Sequence, residues 1–399
     1  MAHGFIRRHY PVAIAFIFGA FVALVASLVW AQRYAVKAKT TYELALEPTE
    51  LATTLYQGLG VELRPGHTVE VIANGDVIER VATEVKKAKR SIDIVMYIWE
   101  PGVASTMVST ALAARARGVA CRIVVDAFGS PTFDRILRPE LTAAGCEVHV
   151  FRPLPGIDPI ARNHRKILIF DGQVAIIGGL GVRDDWLGDG VHGYGWRDTG
   201  ALFTGPAVRE AQQAFAENWQ EAGGAALPAI DLAPSPATGT VTAAWIASTS
   251  STVVTRAERL TQIVITQAKH RLWITNAYFA PSPAIVDLLQ RKAEAGVDVR
   301  LLVPGDKSDV PAALRTGREL YPRLRKSGVK IWEYLPVMIH AKTMLADADL
   351  TVIGSINLDP LSLNKLDENA LLIKDPATAA RLEAMFTADT ALAKPIIQH

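Results

Sequence analysis

An eight-residue pattern, H-x-K-x-x-x-x-D, occurs twice in this chain, and the duplication limits the fold more than any other feature. The first copy runs from His164 through Lys166 to Asp171, the second from His340 through Lys342 to Asp347, 176 positions on (340 − 164). Each is followed by an apolar run and a glycine step, Ile177-Gly178-Gly179 and Ile353-Gly354-Ser355. The offset extends beyond the motif. Ser91–Trp99 (SIDIVMYIW) is mirrored by Arg271–Phe279 (RLWITNAYF), and the Gly-Val turns at Gly118 and Gly296 lie 178 apart (296 − 118). A near-constant offset over half the chain means one α/β unit duplicated and fused. Duplicated units tend to pair about a pseudo-two-fold axis, as isologous dimers do, so residues near the axis meet their own copies.

Within each copy, runs rich in β-branched and aromatic residues alternate with helical periods. Val77–Arg90 and Ala104–Arg117 read as helices, and Ser91–Trp99, Cys121–Asp126 and Cys146–Phe151 as strands. Pro206–Glu221 reads as a helix with proline in its first turn. Such alternation implies an α/β fold with helices on the faces of a parallel or mixed sheet. Residues 223–240 (GGAALPAIDLAPSPATGT) read as a linker. They separate a first half, 71–222, from a second, 241–399. Pro11–Ala31 holds 21 residues without a charge; as a helix it would span about 31 Å, the hydrocarbon thickness of a bilayer. Residues 1–31 are therefore expected to be a single-pass transmembrane anchor in the cell (inner) membrane. A cleaved secretory signal ending near Val29-Trp30-Ala31 is the rival. Basic residues flank the run on both sides (Arg7 and Arg8; Arg33, Lys37 and Lys39), so charge leaves the side of the catalytic domain open. Residues 32–70 read as a juxtamembrane linker.

Alternate residues of a strand share a face, so His and Lys at i and i+2 project together. Imidazole is a nucleophile or proton carrier near neutral pH, and the ammonium is a point charge suited to phosphate oxygens. Two such sets facing each other place two imidazoles and two cations around one phosphorus, the equipment for a two-step displacement on a phosphodiester. Asp171 and Asp347 lie near the far end of the same strands, better placed for structural hydrogen bonds than for chemistry. The net charge of +2 does not suit a dedicated nucleic-acid binder. Two cysteines, Cys121 and Cys146, exclude a disulfide framework or a cysteine-based zinc site. Each opens a strand after a glycine-containing turn, so they could be neighbours on adjacent parallel strands. Because cysteine is among the most buried residue types, two buried reduced thiols are the favoured expectation.

The doubled H-x-K motif resembles the signature of the phospholipase D superfamily, over about residue 67 to the C-terminus. Asp126-Ala127-Phe128-Gly129-Ser130, Trp196-Arg197-Asp198-Thr199, Tyr278-Phe279-Ala280-Pro281 and Gly354-Ser355-Ile356-Asn357-Leu358-Asp359 look most like the bacterial cardiolipin synthase branch. The resemblance implies two phospholipase D-like α/β/α sandwich halves with mixed sheets. It also implies phospholipid substrates, with phosphatidylglycerol foremost, a membrane partner, no nucleic acid, no cofactor and no metal. The implied chemistry is ping-pong transfer through a phosphohistidine; a phospholipase or nuclease of the same superfamily is the alternative. By the same resemblance His164 is the nucleophile and His340 the acid and base, while Lys166 and Lys342 hold the equatorial oxygens. Glu368 orients a catalytic imidazole, Asp198 takes the corresponding role in the first half, and Asp171 and Asp347 complete the catalytic set. Asn357, seventeen residues after His340 (357 − 340), adds a phosphate donor, with Ser355 and Gly179 as further substrate-binding positions. The sequence departs from the family pattern at Gly181, where Asn is general, at Leu361, where Arg is common, and at Leu366, where Asn is common.

Overall fold

The computed structural model describes residues 50–153, 160–251 and 254–397, so the apolar segment read as an anchor lies outside the described residues. Among the described residues no helix is long and apolar enough to cross a membrane. The described residues all fall within one compact unit.

The stretch read as a juxtamembrane linker carries structure of its own. It contains helix α1 (Leu51–Leu59) and the start of strand β1 (Arg64–Ala73). Leu55 and Leu59 belong to the same core cluster as Leu260 and Ile263 of the second half. The repeating unit follows as α2 (Asp76–Lys87), β2 (Ser91–Met96), α3 (Val103–Arg115), β3 (Ala120–Asp126), α4 (Phe133–Ala144), β4 (Glu147–Phe151), β5 (Ile167–Phe170), β6 (Val174–Gly178), β7 (Thr199–Thr204) and α5 (Ala207–Glu221). The second half gives β8 (Val241–Ser248), α6 (Arg256–Gln267), β9 (Arg271–Asn276), α7 (Pro283–Glu294), β10 (Asp298–Pro304), α8 (Pro311–Lys326) and β11 (Lys330–Tyr334). It continues through β12 (Lys342–Ala346), β13 (Leu350–Gly354), β14 (Glu368–Lys374), α9 (Pro376–Ala391) and the short β15 (Ala393–Pro395).

These strands form one mixed sheet in the order β15-β11-β10-β9-β12-β13-β14-β8-β1-β7-β6-β5-β2-β3-β4. Read outward from the β8–β1 seam, the two sides match strand for strand, β8-β14-β13-β12-β9-β10-β11 against β1-β7-β6-β5-β2-β3-β4. That palindrome is the pseudo-two-fold of the duplication. The halves do not keep separate sheets: β1 pairs antiparallel with β8, Arg64 opposite Ala243 and His67 opposite Val241. A core cluster on one face draws Phe203 and Phe215 from the first half and Trp245 and Leu371 from the second. Residues 223–240 connect the halves but are pinned down. Asp231 is buried against Arg122 and Arg90, and Trp219 Nε1 donates to the Ala225 carbonyl at 2.8 Å.

Two parallel triplets, β2-β3-β4 and β9-β10-β11, run the same way within each half. β5 and β12 run antiparallel to β2 and β9 and begin where those strands end, Ile167 opposite Val95 and Lys342 opposite Asn276. The segments leading into β5 and β12 therefore sit at the C-terminal ends of the parallel strands, where sites collect in open α/β sheets.

Cys121 and Cys146 are joined by a disulfide, which corrects the expectation of two reduced thiols. Strand register is the reason. Parallel β3 and β4 pair Arg122 with Glu147, so the residues just before them stand side by side with Cα atoms 4.5 Å apart, within disulfide reach. The bond closes 25 residues, a constraint on the unfolded chain worth about 3–4 kcal/mol. Cys121→Ser is expected to lose about that much stability in non-reducing buffer and much less in dithiothreitol, as paired denaturant titrations would show.

Candidate active site

His164 and His340 lie on the two segments that lead into β5 and β12, and both segments cross to the opposite half. His164 N donates to the Asp367 carbonyl (2.8 Å) and Asp367 N to the Arg162 carbonyl (2.9 Å). In the mirror position His340 N donates to the Arg197 carbonyl (2.7 Å) and Arg197 N to the Met338 carbonyl (2.9 Å). Side chains repeat the exchange. His164 Nδ1 is 2.9 Å from Glu368 Oε1, and His340 Nδ1 is 3.0 Å from Asp198 Oδ2. Each half thus supplies one imidazole and the carboxylate that orients the other half's imidazole. An Nδ1–H donated to a carboxylate leaves Nε2 free for chemistry.

The two carboxylates are held differently. Ser355 Oγ and Ser362 Oγ both donate to Glu368, so the Ser355 hydroxyl is committed to the carboxylate. Asp198 accepts from Trp186 Nε1 (2.8 Å) and from Thr199 N (2.7 Å). This difference accounts for the glycines of the first half. A Cβ on Gly179, the counterpart of Ser355, would lie 2.5 Å from Asp198 Oδ1 and 2.8 Å from the His340 carbonyl. A Cβ on Gly181, the counterpart of Asn357, would lie 2.7 Å from Trp186 Cζ3. The indole of Trp186 thus takes the room that an asparagine would need. Trp186 and Trp196 wall His340 with ring centroids at 5.3 and 5.0 Å.

Lys166 Nζ donates to the His164 carbonyl (2.8 Å), and Lys342 Nζ is 2.8 Å from His340 Nδ1. Tyr97 covers the first pair, its ring 5.0 Å from Lys166 Nζ and 4.8 Å from the His164 ring. Tyr278 covers the second, at 5.8 and 5.9 Å. Burial pushes His164 well below its ordinary pKa, and both Lys166 and Lys342 push the same way. His164 therefore feels the ammonium of each half. Burial also lowers His340 to about 4, with Lys342 adding to the shift and Asp198 opposing it. Burial lowers Lys342 to about 8 and raises Glu368 to about 8 against the pull of Lys166. For Asp198 burial pushes upward, but its hydrogen bond to His340 and the nearby charges hold it below the usual carboxylate value. Desolvated cations and neutral imidazoles at one place suit an anion, whose charge would restore the protonated forms.

Asp171 and Asp347, grouped with the catalytic set on motif spacing, sit at the other end of their strands and reach neither imidazole. Asp171 accepts from the backbone N–H of Lys89, Arg90 and Ser91, with the Arg90 bond at 2.7 Å. Asp347 accepts from Lys269, His270 and Arg271, with the His270 bond at 2.7 Å. Both occupy left-handed backbone, φ 56° and 54°, which Asp tolerates in turns. They clamp the starts of β2 and β9. Asp347→Ala strands these donors and is expected to cost about 3 kcal/mol. Thermal unfolding would show a lower Tm, while turnover per folded molecule changes little.

Several residues that hold the site had no assigned role in the sequence. Asp126 accepts from Arg162 Nε (3.1 Å), Asn163 N (3.0 Å) and Phe128 N (2.8 Å). Asn276 accepts from Leu358 N (2.9 Å) and donates to the Ile356 carbonyl (3.1 Å). Each sits at the end of a parallel strand, the position that could have singled it out. Arg165 is fully buried, donating to the Ala214 carbonyl (2.9 Å) and Asn218 Oδ1 (3.0 Å); it locks the motif segment from its other face. Among the described residues no group of three or more His, Cys, Asp or Glu is placed to hold a metal ion.

The chain matches a family model described as "Cardiolipin synthase, PLD-like domain" over residues 81–187 and 262–390. It belongs to this phospholipase D-like family. Among relatives, it is 33% identical to a cardiolipin synthase of Geobacillus kaustophilus over 76% of this chain and 62% of that one. It is 30% identical to cardiolipin synthase A of Pseudomonas aeruginosa over 84% of this chain and 71% of that one. The chain spans less than two thirds of the length of the Geobacillus relatives it matches. In fold it is similar to phosphatidylserine synthase of Haemophilus influenzae, with a TM-score of 0.62 at 14% identity over 87% of this chain and 92% of that one. Polyphosphate kinase of Porphyromonas gingivalis also shares the fold, with a TM-score of 0.54 at 14% identity over 89% and 53%.

Proposed function

We propose that this chain is a membrane-bound phosphatidyltransferase that joins two phosphatidylglycerols into cardiolipin through a phosphohistidine on His164. The crossed His–carboxylate pairs around one cationic space carry the reading, and the cardiolipin synthase relatives support it. In the first step His164 Nε2 attacks the phosphorus, held by Lys166 and Lys342 with Asn357 beside them, while His340 protonates the departing glycerol oxygen. In the second, His340 takes the proton from a hydroxyl of another phosphatidylglycerol. Its oxygen bonds to phosphorus and the P–N bond to His164 breaks. The neutral His340 of the free site becomes an acid only when a phosphodiester anion sits between the lysines, so proton delivery waits for substrate.

A lipid substrate also fits the rim of the cleft. Phe128, Ile160, Val310, Leu335 and Leu361 are exposed, the first two by 58 and 53%, and all follow the catalytic ends of strands β3, β4, β10, β11 and β13. Apolar side chains exposed beyond the strand ends that carry the site suit contact with acyl chains. Phe128→Asp combined with Leu361→Asp is expected to weaken binding to phosphatidylglycerol vesicles about tenfold or more, as vesicle sedimentation would show. The residues before 32 would keep the cleft at the bilayer as a single-pass anchor, and the disulfide favours an oxidising, outer side for the catalytic domain. The deciding experiment supplies purified protein with phosphatidylglycerol vesicles and expects cardiolipin and free glycerol. Phosphatidic acid or cleaved DNA as sole product would make the protein a hydrolase instead.

A further inference from the structure

This mechanism needs an alcohol on the His340 side of the phosphorus twice. Glycerol leaves there in the first step, and the glycerol end of the second lipid arrives there in the next. Both are the same fragment, a carbon chain with two neighbouring hydroxyls. Beside Lys342, several groups on that side offer acceptors. Tyr278 stands edge-on to His340 and donates its hydroxyl to Asp309 Oδ1 (2.9 Å) and Oδ2 (3.0 Å); with that proton committed, the phenol oxygen offers lone pairs. Phe279 bridges to Leu358, and Ala280 N donates to the Leu358 carbonyl at 2.7 Å. These contacts lay residues 357–359 beside 278–280. Asp359 Oδ1 takes the N–H of Leu361 (2.8 Å) and Ser362 (3.0 Å), and Oδ2 has no partner among the described residues. Asn357 is 3% exposed, and its Oδ1 has no hydrogen-bond partner among the described residues.

The first-half wall has the opposite sense. Arg162 is held through Nε by Asp126 and through Nη2 by the carbonyls of Phe151 and Arg152. Among the described residues its buried Nη1 and the buried Asn163 Nδ2 are unpartnered donors. Orphaned donors suit phosphate and ester oxygens; orphaned acceptors suit hydroxyls.

We propose that Tyr278, Asn357 and Asp359, with Asp309 fixing Tyr278, form a polyol subsite that grips the free hydroxyl next to the one that reacts. The inference rests on the transferase reading above and adds its alcohol specificity. One hydroxyl of the glycerol end meets His340, and its neighbour donates to Asp359 or to the Asn357 carbonyl oxygen. Ethanol and water can meet His340 but lack the second hydroxyl.

The test is a partition experiment on the full chain in phosphatidylglycerol vesicles with ethanol and isotope-labelled glycerol both added, products being read by mass spectrometry. The ratio of labelled phosphatidylglycerol to phosphatidylethanol is set after the phosphohistidine forms, so it does not depend on how fast the first step runs. The parent chain is expected to favour glycerol. In Asp359→Asn the ratio should fall about fivefold or more, the loss of one hydrogen bond to a charged acceptor, and Tyr278→Phe should lower it too. Asp309→Asn, a change on an exposed loop, supplies the reading if Asp359→Asn does not fold. A ratio that stays constant while total turnover falls would overturn the subsite and leave transfer intact. Absence of every transfer product from the parent chain would remove the transferase reading and the subsite together.

Discussion

His164→Ala is expected to lower turnover by about four to six orders of magnitude and to leave no phosphorylated protein after rapid quenching. His340→Ala should be nearly as inactive for a different reason, and the substrate distinguishes the two. Without His340 the departing glycerol must leave as an alkoxide, which general acid catalysis normally avoids. A phosphatidyl ester of an acidic phenol needs no such proton. Supplied with it, His340→Ala should release one equivalent of phenol in a burst and then stall, because no base prepares the next alcohol. The trapped phosphohistidine should map to His164. His164→Ala should give no burst with either substrate, since the bond that would hold the phosphoryl group cannot form. The roles rest on position: each imidazole turns Nδ1 to a carboxylate of the opposite half and stands beside the lysine two residues on. A burst from His164→Ala and none from His340→Ala would reverse the roles.

Much of this was open to inspection in the sequence because it depends on local periods. The offset between the two motifs carries over directly into strands that pair in palindromic order, and alternation along the motif put His and Lys together. What lay hidden depends on register and on neighbours far along the chain. The adjacency of Cys121 and Cys146 could be suspected, but only the pairing of Arg122 with Glu147 aligns them. Gly179 reads as a substrate-binding position and Gly181 as a lost donor; the structure fills their space with Asp198 and with Trp186, which no spacing rule connects to them. The start of strand β1 reads as linker because Pro65 and Gly66 stand there, and proline and glycine usually end regular structure. They sit where β1 leaves its irregular pairing with β8, so neither breaks the ladder with β7, which begins at Thr68. The motif aspartates show the converse. Their fixed spacing is required by a turn that clamps backbone N–H groups, not by the reaction.

The exchange of carboxylates between halves makes a second large prediction, in which two variants fail alike in catalysis and part company in stability. Glu368→Gln and Asp198→Asn each leave an imidazole without the carboxyl group that orients it, and each should lower kcat by about 10³- to 10⁴-fold. Stability should move in opposite directions. Burial raises Glu368 to about 8 in the folded protein, above its unfolded value. Between the two values the unfolded chain releases a proton that the folded one keeps, so stability falls as pH rises through that window. Glutamine removes this penalty; its carbonyl oxygen can still accept from Ser362, and its amide N–H can donate to a turned Ser355 hydroxyl. Glu368→Gln should therefore melt higher than the parent at pH 8, with the gap closing toward pH 5. Asp198 is held below its ordinary value by His340, Lys342 and Trp186 despite burial. Such a group adds stability above its unfolded pKa, and that stability is lost as pH falls through the folded value. Asp198→Asn should accordingly melt lower than the parent at pH 7 and approach it in acid. Melting curves of both variants from pH 4 to 8 would check the pair of signs. The same sign for both would mean that the two carboxylates are not set apart by their surroundings: one ringed by hydroxyls in a desolvated pocket, the other tied to an indole and a histidine beside a lysine.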